Sequence, residues 1–188
     1  MLKLEVIIAS TRPGRIGLPI ANWFIDYARE QGIFEISVTD LAELNLPFLD
    51  EPLHPRLQKY EHEHTKQWSA RVSAADAFVM VIPEYNHVMP PTLLNAVNFL
   101  SLEWNYKPVS ILSYGGVSAG LRSANSLKPL LTALKMMPIP EAVSIPFAGQ
   151  MIKDGVLEPN QIMLDAVVMV LKELDKWATA LKTIRTTT

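Results

Sequence analysis

The chain has 188 residues, of which 49% are apolar and 19% charged, and its formal net charge is −2. This length suits one domain with one core, and the near-neutral charge gives no bias towards nucleic acid or an anionic membrane. The absence of cysteine excludes disulfides, thiolate metal sites and a cysteine nucleophile. Because Lys3 and Glu5 interrupt the short first apolar run, we expect neither a signal peptide nor a membrane span, and a cytoplasmic protein.

Short apolar runs rich in β-branched residues alternate with longer segments whose apolar residues follow the i, i+3, i+4 spacing of a helix. Strands are predicted over 4–9, 33–38, 77–82, 108–113 and 142–147, and helices over 18–31, 57–73, from 90 onward, 118–135 and 159–184. The alternation predicts a parallel sheet with helices on both faces. No linker divides the chain, so we expect a single domain over 1–188, with a loop at 45–55.

The loop after the first predicted strand, residues 10–17, contains two hydroxyl residues, two arginines and two glycines. Ligands of an open α/β sheet bind beyond the carboxyl ends of its strands, where helix-start N–H groups, hydroxyls and guanidinium groups bind anions. The sequence therefore predicts a phosphate bound by the hydroxyl groups of Ser10 and Thr11 and by the guanidinium groups of Arg12 and Arg15; the alternative is a solvated, capped loop. The P-loop pattern and G-x-G-x-x-G do not occur, which favours a phosphate monoester such as that of FMN.

The loops after the third and fourth predicted strands suit a flat ring. In 83–91, Tyr85 offers an aromatic face, and Asn86 with the loop backbone offers hydrogen-bonding groups to a flavin. Taken alone, this loop is better explained as a rigid turn bounded by prolines. In 113–120, Gly115, Gly116 and Gly120 permit close approach of the backbone to a ring, or simply a tight turn into a helix.

The fourth-strand loop also matches G-x-S-x-G, the nucleophile elbow of serine esterases, with Ser118 as the serine. That fold requires its acid and its histidine after the serine in the chain. All four histidines, at 54, 62, 64 and 87, precede Ser118, so a serine esterase is a distant alternative. His62 and His64 are two residues apart and would point to different faces of a helix, so we expect no metal site there.

Several of these segments occur together, in the same order, in the NADPH-dependent FMN reductase family of azoreductases, chromate reductases and quinone reductases, which the chain resembles up to about residue 150. The segments that carry the resemblance are STRPGR at 10–15, PEYN at 83–86, PPTLLNA at 90–96, EWN at 103–105 before KPV at 107–109, SYGGVSAGLR at 113–122 and PEAV at 140–143.

The resemblance implies a flavodoxin-like three-layer α/β sandwich with a five-stranded parallel sheet in the order 2-1-3-4-5, and non-covalent FMN. It implies ping-pong transfer of hydride from NADPH or NADH to the flavin and then to a quinone, azo compound, metal oxyanion or free flavin, with no catalytic side chain. Homodimers or homotetramers are expected. The residues predicted to bind the cofactor are Ser10, Arg12, Arg15, Ile16, Gly17, Pro83, Glu84, Tyr85, Asn86, Gly115, Gly116, Ser118 and Gly120.

Two positions depart from many relatives of that family: Ala9 replaces a glycine before the loop serine, and Arg15 replaces a serine found in some members. Both leave the list of phosphate contacts open. Two further alternatives share the fold. A flavodoxin-type electron carrier is disfavoured by the near-neutral charge and by Arg12 and Arg15 in the phosphate loop, and a cofactor-free interaction module would not bind FMN at all.

Overall fold

The computed structural model describes residues 1–185, in which a central parallel sheet separates two layers of helices. In chain order its elements are β1 (Leu2–Ile8), α1 (Gly17–Gln31), β2 (Phe34–Asp40), α2 (Leu41–Leu44), α3 (Glu63–Ala74), β3 (Ala77–Pro83), α4 (Pro91–Asn98), β4 (Pro108–Tyr114), α5 (Leu121–Ala133), β5 (Met137–Pro138), β6 (Val143–Ile145), β7 (Ile152–Lys153), β8 (Val156–Leu157) and α6 (Gln161–Arg185), with 3-10 turns at Pro55–Leu57, Leu102–Trp104 and Ala148–Met151.

The strand order β2-β1-β3-β4-β5 with parallel pairing confirms the predicted topology. The fifth position is divided, because β5 pairs with the first residues of β4 and β6 pairs with the last ones. The sequence predicts a single strand over 142–147 there. The chain leaves the sheet between the two pieces, where Pro140 cannot donate a ladder hydrogen bond.

The helices cover both faces of the sheet, as the alternation predicts. Alternate residues of β1 point to opposite faces, so Val6 and Ile8 join one core cluster while Ile7 joins the other. The first cluster packs the sheet against α1 and α6, and the second packs it against α3, α4 and α5. The carboxyl ends of β1, β3 and β4 therefore meet at one edge between these layers, with their loops side by side.

The helix limits show where local pattern is sufficient and where it is not. Helix α1 ends where predicted, because Gly32 adopts φ 64° and its N–H group bonds to Arg29 O. The helix predicted over 57–73 instead begins at Glu63, since the Glu51 carboxylate accepts hydrogen bonds from the N–H groups of Glu61 and His62 and the backbone of His62 is extended.

Two further differences lie in the second half of the chain. The helix predicted from 118 begins at Leu121, and the short β7–β8 hairpin was not predicted. Across residues 1–185, no helix is long and apolar enough to span a membrane. The last three residues of the predicted 1–188 domain lie outside the described residues.

Candidate functional site

The three loops that the sequence singles out are joined by side-chain hydrogen bonds at the carboxyl edge of the sheet. Ser10 Oγ of the first loop lies 2.6 Å from Tyr85 Oη of the second. The Glu84 carboxylate of the second loop accepts a hydrogen bond from Ser118 Oγ of the third at 3.1 Å. The structure thus brings together residues that are 75 and 34 positions apart in the chain.

The first loop leads into the start of α1. Within residues 1–185, Ile16 at the helix start makes no side-chain capping bond, and the first turn contains no acidic residue. The N-terminal amides of a helix carry partial positive charge, and no carboxylate of the helix neutralises it here. Arg12, in the loop ahead of the helix, is exposed. The end of α1 therefore combines helix amides with an arginine, the donor set that suits a phosphate.

Arg15 occupies a different place from Arg12. Its guanidinium group forms a two-pronged pair with the Asp40 carboxylate at the end of β2, and Nη1 also donates to Ser10 O at 2.6 Å. The hydrogen bond that Arg15 donates to Asp40 raises the pKa of Arg15. Arg15 thus ties the first loop to β2, and its predicted direct contact with phosphate stays a prediction.

Tyr114, the last residue of β4, is a neighbour of the first loop that the sequence analysis did not select. Its side chain is buried, and a Cβ added at Gly17 would overlap its hydroxyl group. Burial, with the nearby Tyr85, raises the pKa of Tyr114 above its ordinary value. The only signal in the sequence was its position between the end of a strand and two glycines.

The second loop contains a two-residue reverse turn. Tyr85 and Val88 exchange two backbone hydrogen bonds of 3.1 Å, while Asn86 and His87 both have left-handed φ angles, of 50° and 70°. These signs match a type I′ turn, in which non-glycine residues other than asparagine and aspartate are uncommon. The closing bonds use the N–H groups of Tyr85 and Val88 and not those of Asn86 and His87.

Close backbone packing shapes the third loop. Gly120 has φ 76°, and a Cβ there would lie 2.8 Å from the backbone nitrogen and oxygen of Tyr114. A Cβ at Gly115 would lie 3.1 Å from Gly120 N, whereas one at Gly116 would have no neighbour within 4 Å. The loop is therefore folded back on itself at Gly115 and Gly120, and it is open at Gly116.

Glu84 connects this loop to the second one. Its carboxylate accepts hydrogen bonds from Ser118 Oγ, Arg122 N and Arg122 Nη1, each at 3.1 Å. Although partial burial opposes ionisation, the bonds from Arg122 and Ser118 lower the pKa of Glu84. The Ser118 hydroxyl is a donor to a carboxylate in this arrangement, which is not the serine–histidine contact of an esterase. Glu84 and Ser118 thus fix the distance between the two loops.

The rings of His62 and His64 lie side by side, whereas the sequence predicts that they point to different faces of a helix. Because His62 precedes α3 instead of lying in a helix, its ring stacks on that of His64 with centroids 5.2 Å apart. His64 Nε2 lies 3.0 Å from Asp50 Oδ1. Among the described residues, no group of three or more ligating side chains could hold a metal ion.

A cleft of about 530 Å³ lies beside the first loop, on the side of α4. Asn95 of α4 forms one wall and holds the segment after α2 in place: its Nδ2 donates to Pro47 O at 2.7 Å, and its Oδ1 accepts from Leu49 N at 3.1 Å. Thr11 belongs to both the cleft and the first loop. Residues 45–48 of the predicted loop therefore form a wall of this cleft, next to the candidate site.

These features fit a phosphate monoester that carries a planar ring. The uncapped start of α1, Arg12 and the Ser10 hydroxyl supply donors for an anion with several acceptor oxygens. The turn at Asn86 and the open position at Gly116 lie in two loops that the Glu84–Ser118 bond joins, and their backbone can contact a planar ring. FMN has both parts, so the residues present fit it.

The sequence model of the family described as NADPH-dependent FMN reductase matches residues 2–150. The chain is 36% identical over 159 residues to an NAD(P)H-dependent FMN reductase of Schizosaccharomyces pombe, covering 84% of this chain and 79% of that protein. It is 34% identical over 168 residues to an NAD(P)H-dependent FMN reductase of a Nectria species, covering 84% of each protein. Among solved structures, the flavoenzyme NAD(P)H:acceptor oxidoreductase FerB of Paracoccus denitrificans superimposes with a TM-score of 0.74 at 18% identity, over 96% of this chain and 98% of that one.

The fold and these relatives define a flavin-dependent oxidoreductase with a flavodoxin-like fold. The chain belongs to the NADPH-dependent FMN reductase family, which confirms the resemblance found in its sequence. Its cofactor is FMN, and a reduced nicotinamide is its co-substrate.

Proposed function

We propose that this chain is a single-domain cytoplasmic enzyme that reduces its bound FMN with NADPH or NADH and then reduces a small molecule in a ping-pong cycle. The acceptor classes that fit an open flavin face are quinones, azo compounds, metal oxyanions and free flavin. A relative from a Bacillus species, 30% identical over 186 residues and covering 97% of both chains, is an NADPH azoreductase. The observation that carries the proposal is the convergence of an anion-binding helix start and two backbone-lined turns at one sheet edge.

In this proposal, the first loop holds the FMN phosphate and the other two loops hold the ring. Ser10, Arg12 and the backbone at Ile16 and Gly17 contact the phosphate, while Arg15 fixes the loop from behind through Asp40. The remaining predicted contacts, which line the ring, come from Pro83, Glu84, Tyr85, Asn86, Gly115, Gly116, Ser118 and Gly120.

When bound, FMN supplies the redox chemistry by taking up hydride at its ring and passing two electrons on. The protein binds and orients it. The Asn86 and His87 N–H groups would polarise the edge of the bound ring, and the Glu84–Ser118 bond holds the second and third loops together. The cleft beside Thr11 gives a route by which a second small molecule approaches.

We also propose that the enzyme forms a homodimer or homotetramer. Phe48, which lines the cleft, is 87% exposed, and Leu57, in the 3-10 turn at Pro55–Leu57, is 56% exposed. Leu94 of α4 and Leu102 add to the same kind of surface, at 42% and 41%. Exposed apolar side chains in this number support association between copies of the chain.

An absorbance spectrum of the purified protein, taken without air before and after addition of NADPH, tests the proposed reaction. We expect protein-bound flavin whose visible absorbance is lost with NADPH alone and returns when a quinone is added. Flavin that dithionite reduces but NADPH and NADH do not would identify the flavodoxin-type carrier, whose fold a pneumococcal flavodoxin shares at a TM-score of 0.58. A protein that does not take up added FMN would overturn both.

Replacement of Arg12 tests the phosphate site. The Arg12→Ala variant loses a charge-assisted contact of about 1.5–3 kcal/mol, so its Kd for FMN should rise by about 10- to 100-fold. Arg56→Ala, which removes another exposed arginine, is the matched control and should leave this Kd unchanged. Equal FMN affinity of Arg12→Ala and Arg56→Ala would show that Arg12 does not contact the phosphate.

A further inference from the structure

The cleft of about 530 Å³ next to the first loop also adjoins the second loop. Thr11 of the first loop lines one part of it, and Pro91, where the second loop ends and α4 begins, lines another. Thr92 Oγ1 donates to Ala9 O at 2.7 Å, which holds the start of α4 against the residue that follows β1. Because its volume is in the range of small-molecule sites, the cleft has room for a ligand of its own beside the proposed flavin site.

Two of the polar side chains that line the cleft are committed to hydrogen bonds within the protein. Thr92 donates its hydroxyl proton to Ala9 O, and the Asn95 amide is bonded at both ends, to Pro47 O and Leu49 N. None of the described residues in the lining carries a charge. A bound anion needs cations or free donors around it, and its burial without them is costly. The chemistry of the lining therefore favours an uncharged, largely apolar ligand.

Phe48 gives this cleft an aromatic face. It is the one aromatic residue among the described residues that line the cleft, and it is 87% exposed. Leu46 and Pro47 belong to the same wall, which Asn95 holds in place. An exposed aromatic ring loses contact with water when a flat ring packs on it, and offset or edge-to-face pairs are favourable beyond the area that they bury. A flat, uncharged molecule thus fits the cleft best.

We propose that the cleft binds the electron acceptor, that this acceptor is a neutral quinone, and that Phe48 determines the specificity by packing on the quinone ring. The inference rests on the proposed function, because it takes reduced FMN in the neighbouring loops as the electron donor. The quinone takes up a hydride, which is two electrons and one proton, from the reduced cofactor and a second proton from water. It leaves as the hydroquinone, and the cofactor returns to its oxidised form. Metal oxyanions and sulfonated dyes are poorer ligands, because the lining offers them no cation.

Steady-state kinetics of the FMN-loaded enzyme with NADPH, without air, tests this role. The acceptors are a neutral naphthoquinone, a sulfonate of the same ring system, and ferricyanide, an anion that has no flat ring. In a ping-pong cycle, kcat/KM for the acceptor reports the acceptor half of the reaction. Phe48→Ala should lower the ratio of kcat/KM for the naphthoquinone to that for ferricyanide by about two- to tenfold, the value of one aromatic pair. Since Phe48 is 87% exposed, the variant is expected to fold.

A second substitution at the same position tests the importance of charge. Phe48→Lys also removes the ring but adds a cation to the cleft. Compared with Phe48→Ala, it should raise kcat/KM for the sulfonate by about threefold or more and should not raise it for the neutral naphthoquinone. Because each acceptor is compared with itself, differences in reduction potential between the acceptors cancel.

Ile162→Ala is the matched control for the loss of an exposed apolar side chain. Ile162 is 79% exposed and lies on α6, which covers the face of the sheet opposite to α4. All three kcat/KM values of this variant should match those of the wild type. Gel filtration of each variant measures the size of the assembly in parallel.

The outcomes separate this inference from the proposed function. A ratio of naphthoquinone to ferricyanide that stays the same in Phe48→Ala, or a sulfonate value that Phe48→Lys does not raise, would overturn the inference alone. A loss that accompanies a change in mass on gel filtration would assign Phe48 to a contact between copies of the chain and would overturn it as well. A wild-type flavin that NADPH and NADH do not reduce would instead overturn the proposed function, and this result is visible before any acceptor is added.

Discussion

The pair between Arg15 and Asp40 gives the sharpest stability prediction. The Arg15 and Asp40 side chains are 15% and 7% exposed, and the carboxylate also accepts from Ala42 N at 2.9 Å. Asp40→Ala leaves a guanidinium group largely buried without its counter-charge and removes the cap of α2. Breaking a buried pair costs about 3–5 kcal/mol and a cap about 1 kcal/mol. Because both side chains keep some contact with water, we expect a net loss of about 2–4 kcal/mol.

Thermal and urea unfolding of the flavin-free protein measure this loss. For a chain of this size, 1 kcal/mol shifts Tm by about 2–4 °C, so Asp40→Ala should lower Tm by roughly 5–15 °C. The control is Asp26→Ala, which breaks the pair with Arg29 at 3.5 Å, where the side chains are 74% and 56% exposed. That change should cost no more than about 0.5 kcal/mol.

The double variant Asp40→Ala/Arg15→Ala checks the cause of the loss. Removal of both charges takes away the unpaired cation, so the double variant should be more stable than Asp40→Ala alone. If Asp40→Ala and Asp26→Ala unfolded at the same temperature, the pair would contribute no more than a surface contact does, and the reasoning would be refuted.

Three further changes have definite expected results. Gly120→Ala places a Cβ at a left-handed φ and 2.8 Å from the backbone of Tyr114, so it should lower the free energy of unfolding in urea by about 2 kcal/mol or more. Gly116→Ala is the control, because its Cβ meets open space, and it should cost about 0.5 kcal/mol or less. Asn95→Ala removes both side-chain bonds to the wall of the cleft and should speed hydrogen exchange there, whereas Asn98→Ala, which loses one bond within α4, should not. Burial lowers the pKa of Lys107 to about 7, well below its value of about 10.4 in an unfolded chain. Between about pH 7 and pH 10, Lys107 is therefore more protonated in the unfolded chain than in the folded one. The free energy of unfolding should rise with pH over this range in the wild type, and it should rise less in Lys107→Met.

The sequence was sufficient for the parts of the fold that local pattern determines. Strand β3 is a run of seven buried residues, and α1 shows its buried stripe, Ile20 and Phe24 included, with Gly32 at its end. Strands and helices that alternate in this way can form only a few parallel-sheet topologies, so the order of the strands in the sheet could be predicted. The divided edge strand could not be predicted, because two or three residues carry too little periodicity to define β5 and β6.

The same limit applies to the site. Composition identified the three loops, because hydroxyls, arginines and glycines are unusual together after a strand. It could not distinguish Arg12 from Arg15, since the partner of Arg15 is Asp40, 25 residues away at the end of another strand. Tyr114 was missed for a similar reason: its hydroxyl group lies against Gly17, which is far away in the chain, and no local spacing reports such a contact.

The divided strand beside β4 also bears on how the protein avoids wrong association. The outer border of the sheet there consists of β5, two residues long, and β6, three residues long, and Pro138 in β5 lacks an N–H group. Backbone N–H and C=O groups are not continuous along this border. A strand of another chain could therefore not form β-sheet hydrogen bonds with it over its full length. The short, broken border thus works against edge-to-edge pairing of two chains through this side of the sheet.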